Sequence, residues 1–170
     1  MADQTVLTSR GRAKEALIGT PTSGPLASDD PSPAWQEYVA AYQAAFPEDE
    51  RFPTPSLFGV GYYVAALAAL QALDAVDGDL SGGQAAFREA LATMPLDTPL
   101  GRVELNENRQ ASGSVFITEV VDDGDGGLEI VFKARVDNVN QTLGMSSEEF
   151  RAMGLPSRDN PDCAALGGAG

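Results

Sequence analysis

The sequence holds 170 residues, 43% apolar and 7% aromatic, which suffices for one domain with a buried core. Lys and Arg total 11 against 25 Asp and Glu, a formal charge of −14; without clustered cations, nucleic acid and anionic membrane surfaces are excluded as fitting partners. The absence of His and the single Cys163 exclude thiolate–imidazole zinc sites, His-ligated haem and Ser-His-Asp or Cys-His catalysis, leaving oxygen-only Ca²⁺ or Mg²⁺ sites and carboxylate pairs.

Met1 to Leu7 has neither a basic segment nor an apolar run, so no secretory signal is expected there. As it stands, such a chain would be cytoplasmic. Glu15 to Thr20 contains Ala16-Leu17-Ile18-Gly19, which predicts a short buried strand. Pro21 to Pro31 is rich in turn residues and predicts a connection. Ser32-Pro33 then reads as a helix N-cap and first helical residue. Trp35, Tyr38, Val39, Tyr42 and Phe46 recur on one helical face, and Pro47 stops the helix.

Thr54-Pro55 repeats that start before a helix predicted over Ser56 to Val76. Its Leu57, Val60, Val64, Leu67 and Leu70 are joined by a row of alanines, so it is apolar nearly all round and expected to be central and buried. The apolar run Val60 to Leu73 is shorter than the ~20 residues of a bilayer span, so no membrane insertion is expected. Gly78 is a suitable stop. Ser81 and Gln84 form a candidate capping box for a third helix, which buries Phe87, Ala90, Leu91 and Met94 and ends at Pro95.

Beyond Pro99-Leu100-Gly101 the period changes to two. Arg102 to Leu105, Ser114 to Val121 and Leu128 to Val136 read as strands, the last two joined by a hairpin loop at Asp122 to Gly127. A short helix follows at Ser147 to Met153, with Ser146 and Glu149 as its capping box. Leu155-Pro156 and a Gly/Ala-rich tail, expected to fray, close the chain. The order strand, three helices, run of strands is α/β or α+β. A helix apolar all round needs packing partners that so few strands do not supply, which suggests part of a larger protein.

The acidic loop fails as an EF-hand: counted from Asp123, position 5 is Gly127 and position 12 is Ala134. It reads as a solvated turn, and Asn106 to Gln110 as a connecting loop. Asp29-Asp30 and Glu148-Glu149 lie before or at helix starts, where negative charge suits the helix dipole. Gly59 and Gly61 do not follow a strand with the full dinucleotide fingerprint. Phe58, Tyr62 and Tyr63 at the start of the central helix are the candidate ligand-binding residues, against the plainer reading that they belong to the core. No catalytic residue, metal or cofactor is expected.

Pro33-Ala34-Trp35, Tyr38-Val39, Tyr42, Phe46-Pro47, then Gly61-Tyr62-Tyr63-Val64-Ala65-Ala66-Leu67, form an ordered series. It continues through Phe87-Arg88-Glu89-Ala90-Leu91, Thr98-Pro99-Leu100-Gly101 and Val103 to Ala111. From about residue 3 to 160 the series resembles the C-terminal portion of type I periplasmic substrate-binding proteins, in particular the leucine/isoleucine/valine-binding family of ABC importers. The resemblance implies a partial α/β fold with pieces of both lobes. Residues 1–24 would end the C-terminal lobe and cross the hinge, 25–97 would complete the N-terminal lobe, 98–160 would be a β-rich C-terminal-lobe segment, and 161–170 a tail. It also implies a periplasmic location and a non-enzymatic role in binding an amino acid or amide for ABC permease subunits. Phe58, Tyr62 and Tyr63 fall where that family has pocket-lining positions, and the central helix would pack on an upstream sheet. The same fold serves ligand-sensing receptors, and an independent acidic α+β interaction protein is the reading outside the family.

Overall fold

The computed structural model describes residues 14–142 and 144–154. Met1 to Leu7, Leu155-Pro156, Cys163 and the tail lie outside the described residues. Strand β1 (Pro21–Gly24) precedes helices α1 (Pro33–Ala45), α2 (Leu57–Asp74) and α3 (Ser81–Thr93). Strands β2 (Leu96–Thr98), β3 (Gly101–Leu105), β4 (Ala111–Asp122) and β5 (Leu128–Val139) follow, then a short α4 (Ser147–Ala152).

The sheet is antiparallel and organised by β4. Its long partner is β5, from Asp122 opposite Leu128 to Gly113 opposite Val139. β1 also pairs with it, Pro21 opposite Glu119 and Gly24 opposite Phe116. β3 joins its first residues, and β2 adds to β3. The register shifts between Ile117 and Thr118, whose partners are Ala134 and Phe132, leaving Lys133 as an inserted bulge residue.

The strand expected at Ala16 to Gly19 is not formed. Lys14–Leu17 is a 3-10 turn, and the strand lies at Pro21–Gly24, where composition predicted a connection. The reason is tertiary: β4 offers this segment a pairing edge, and the hydroxyls of Thr22 and Thr118 meet at 2.7 Å across it. Such cross-strand gains outweigh local propensity.

Pro33 is the first residue of α1 as expected, but the Ser32 hydroxyl donates to the Asp30 carboxylate at 2.8 Å and does not cap the helix. Trp35 is wholly buried, and its Nε1–H donates to the Ser28 carbonyl at 2.9 Å. The cap of α2 is Ser56 rather than Thr54, its hydroxyl accepting the Gly59 N–H at 3.2 Å. Gly78, at φ +75°, ends the segment by donating to the Leu73 carbonyl. The capping box expected at Ser81 and Gln84 does not form. Gly82, Gly83 and Gln84 adopt left-handed φ values of 58°, 67° and 63°, and the Ser81 N–H donates to the Asp79 carboxylate. Two successive glycines permit that turn at little steric cost.

In α4 the capping box is complete: the Glu149 N–H donates to Ser146 Oγ, and the Ser146 N–H donates to Glu149 Oε2. The Ser146 hydroxyl, then its backbone amide, hold the Glu149 carboxyl below its ordinary value. A carboxyl lowered in the folded state stabilises above its unfolded value and loses that contribution as pH falls through the folded one. Amide exchange at Ser146 and Glu149 is therefore expected to accelerate selectively on acidification below the ordinary glutamate range.

Among the described residues two small cores result. Val120 and Ile130 gather Leu17 and Leu128 on the sheet, while Leu26, Trp35 and Val60 gather Tyr38, Val39, Leu57, Val64 and Leu100 among the helices. A polar link joins the two parts: the Asp29 carboxylate accepts the Phe132 N–H at 2.8 and 2.9 Å to its two oxygens, beside the β5 bulge. Asp29→Ala is expected to cost ~1 kcal/mol, since the pair is exposed, and to speed amide exchange at Phe132.

The largest departure from expectation is α2. It forms as a helix but is not buried: only Val60 and Ala72 are, while Phe58, Tyr62 and Leu70 are 76%, 79% and 65% exposed. Among the described residues it is the one helix long and apolar enough to cross a membrane by length and composition. Its open face runs through Phe58, Tyr62, Ala65, Ala69 and Leu70, and the antiparallel sheet leaves that face uncovered.

Candidate functional site

Trp35 of α1 packs against Val60 of α2, and a groove lies between the two helices. Its volume is about 740 Å³, within the range of small-molecule sites. Tyr38, Tyr42 and Phe46 from α1 and Tyr63 and Leu67 from α2 make the apolar walls, and the stretch Asp97 to Pro99 closes one side. The Tyr38 and Tyr63 ring centroids are 4.6 Å apart, Trp35 and Tyr38 5.7 Å, and Tyr42 and Phe46 5.3 Å.

Among the described residues, the polar side chains lining this groove are Glu37, Asp97, Thr98 and the three tyrosines, and no Lys or Arg lines it. Burial pushes the Tyr38 phenol above its ordinary value, and neighbouring Tyr63 and then Tyr42 add to the effect. It therefore stays protonated at neutral pH as a hydrogen-bond donor. Thr98 is committed elsewhere, donating to the Gly101 carbonyl at 2.7 Å and accepting the Leu100 N–H.

Of the three candidate ligand-binding residues, Tyr63 lines the groove. Phe58 and Tyr62 lie on the open face of α2, so the three are not brought to one surface. Tyr38 and Tyr42, read from the sequence only as part of a core stripe, are groove residues. Their hydroxyls were the available signal, because a stripe meant solely for the core would not need two phenols.

The other polar motifs are occupied structurally. Asp30 is buried and accepts from the Ser32 N–H and hydroxyl, and Asp29 holds Phe132. Asn106 Oδ1 accepts from Asn108 and Gln110 N–H to shape the β3–β4 turn. In the acidic loop, Asp122 and Asp123 accept backbone N–H groups of Gly124, Asp125 and Gly127.

The sequence profile of the family described as periplasmic binding protein matches residues 1–125. The chain belongs to the periplasmic binding protein family. This is a family of binding proteins rather than enzymes, and it is extracytoplasmic. No curated protein matches this periplasmic binding protein chain. Among solved structures it is similar to a solute-binding protein of an ABC transporter from Rhodopseudomonas palustris BisB5, in complex with 3,4-dihydroxybenzoic acid. That likeness has a TM-score of 0.63 and 28% identity, over 81% of this chain and 35% of the other.

An ABC transporter substrate-binding protein from Sphaerobacter thermophilus gives a TM-score of 0.63 at 22% identity, covering 73% of this chain and 32% of that one. A leucine-binding protein from Thermotoga maritima gives 0.55 at 19%, covering 72% and 32%. The last two show the fold alone. The binding-protein chain thus spans about a third of the length of these relatives, as a mixed α/β partial fold.

Proposed function

We propose that this chain is the C-terminal portion of the solute-binding component of an ABC importer, binding its ligand without chemistry. The observation that carries the reading is the uncovered apolar face of α2, in a family member spanning about a third of related structures. In the complete protein, residues 25–97 would finish one lobe, with α2 laid on its sheet, and 98–160 would belong to the other. The two separate small cores support a division near this point, with Leu100 of the second segment still packed on the helical core. Ligand capture would come from closure of the lobes, outside the cytoplasm, with permease subunits as partners.

The ligand we propose is a branched-chain amino acid or a related amide, with Phe58, Tyr62 and Tyr63, in the first two turns of α2, walling the cleft at that end of the helix, while Ala65, Ala69 and Leu70 further along lie against the missing sheet. The relatives point two ways: one is a leucine-binding protein, another holds 3,4-dihydroxybenzoic acid. Calorimetry decides between them. The chain joined behind the first two-thirds of the R. palustris protein is titrated with leucine and with 3,4-dihydroxybenzoate. Leucine binding, weakened roughly tenfold by Tyr62→Ala or Tyr63→Ala, is the expected outcome. Dihydroxybenzoate binding alone would reassign the ligand, and unchanged affinity in both variants would remove these residues from the cleft.

A further inference from the structure

The α1–α2 groove has a composition that the solute-binding reading does not require. Tyr38, Tyr42 and Tyr63 present three aromatic rings to one cavity, with Phe46 beside them. Among the described residues, no protein group takes a hydrogen bond from the three phenols. Among the described residues, the ionisable carboxylates lining the cavity are Glu37 and Asp97, and no cation lines it. Arg102 approaches Asp97 at 3.9 Å from outside the groove, but its guanidinium is held at 2.7 Å by Glu104, so it offsets Asp97 only weakly. Glu37 has no ion-pair partner among the described residues.

Aromatic faces carry negative quadrupole density and attract cations placed over them. Carboxylates at the same cavity add to that attraction, and the chain's −14 charge reinforces it over longer range. An anionic ligand would accept hydrogen bonds from the phenols but would meet two like charges, with no guanidinium or ammonium among the described lining residues to pair with it. We propose that this groove is a binding site for an organic ammonium bearing an apolar tail, the cation over the Tyr38 and Tyr63 rings and the tail along Phe46 and Leu67. The groove is lined by residues of this chain, of which only Tyr63 is also assigned to the solute cleft, so the proposal goes beyond the solute-binding reading and does not depend on it.

The test uses the purified chain with benzyltrimethylammonium as probe, benzyl alcohol as neutral comparator and benzoate as anionic one, read by amide chemical-shift titration. The ammonium is expected to bind about tenfold more tightly than benzyl alcohol at low salt, the gain from cation–π and carboxylate attraction together. Its shifts should map to α1, α2 and residues 97–99, and benzoate should produce none there. Glu37→Gln, an exposed change that leaves the fold intact, is expected to weaken binding about threefold, and Tyr63→Phe to preserve it, because the ring is kept. Added salt should weaken the ammonium and not the alcohol. Equal or tighter binding of benzyl alcohol or benzoate, shifts mapping elsewhere, or no binding of the ammonium would each overturn the proposal. Leucine binding by the completed protein is a separate readout, so either idea fails without the other.

Discussion

Trp35→Ala is expected to cost about 3–5 kcal/mol, the range for deleting a buried indole, and to unfold the helical part of the chain. Trp35 is fully buried at the centre of a core whose other buried members are only Leu26 and Val60. Its ring also stacks towards Tyr38 at 5.7 Å and so supports the groove wall. The indole N–H holds the Ser28 carbonyl, which fixes the entry of the chain into α1. With total stabilities of about 5–15 kcal/mol for complete domains, a loss of this size leaves little in a partial one. Because Trp35 is the sole tryptophan, urea unfolding is followed by circular dichroism rather than indole fluorescence. Trp35→Phe separates the contributions: it keeps most apolar contact and should lose only ~1 kcal/mol for the unmade hydrogen bond. A Trp35→Ala midpoint close to that of the parent would show that the helical core is built otherwise.

Gly101→Ala is the second large effect. Gly101 has φ +102°, which costs a residue with a Cβ about 1–3 kcal/mol in backbone strain alone. An added Cβ would also run into the Arg135 guanidinium and come within 2.9 Å of Ser114 Oγ. Arg135 is not free to move without loss, since its Nε–H donates to Asp137 at 2.6 Å and it lies 5.7 Å from the Phe116 ring centroid. The Ser114 hydroxyl, first, and then Arg135 hold the Asp137 carboxyl below its ordinary value, so the same network fixes both sides of the contact. Overpacking adds about 1–3 kcal/mol. Gly126→Ala is the matched control: φ is +82° but the space beyond is open. Equal losses in the two variants would show that the Arg135 contact carries no weight.

The elements with strong local grammar were legible in the sequence. The stripe of four aromatics and Val39, with Ser32-Pro33 before it and Pro47 after it, marked α1, and the alternation of Leu128 to Val136 marked β5. The Ser146/Glu149 box was legible to the residue, because both partners lie three positions apart. β1 was not, because Pro21-Thr22-Ser23-Gly24 has no apolar pattern and becomes a strand only through its pairing with β4. The Ser81/Gln84 box misled because its pattern ignores what two adjacent glycines permit. For the site, helix periodicity placed Tyr63 at the start of α2 but could not show that Tyr38 and Tyr42 come from another helix to meet it. The composition of α2 marked it as a helix needing neighbours on all sides, and the fold leaves Phe58, Tyr62 and Leu70 without them.

The claim on which the rest depends is that this open face belongs under the remainder of a larger binding-protein fold. A dye that fluoresces on exposed apolar surface, 1-anilinonaphthalene-8-sulfonate, reports it directly in native buffer. The chain alone should give strong enhancement, and the chain joined behind the first two-thirds of the R. palustris protein should lose most of it. No enhancement from the chain alone, or undiminished enhancement after joining, would contradict it.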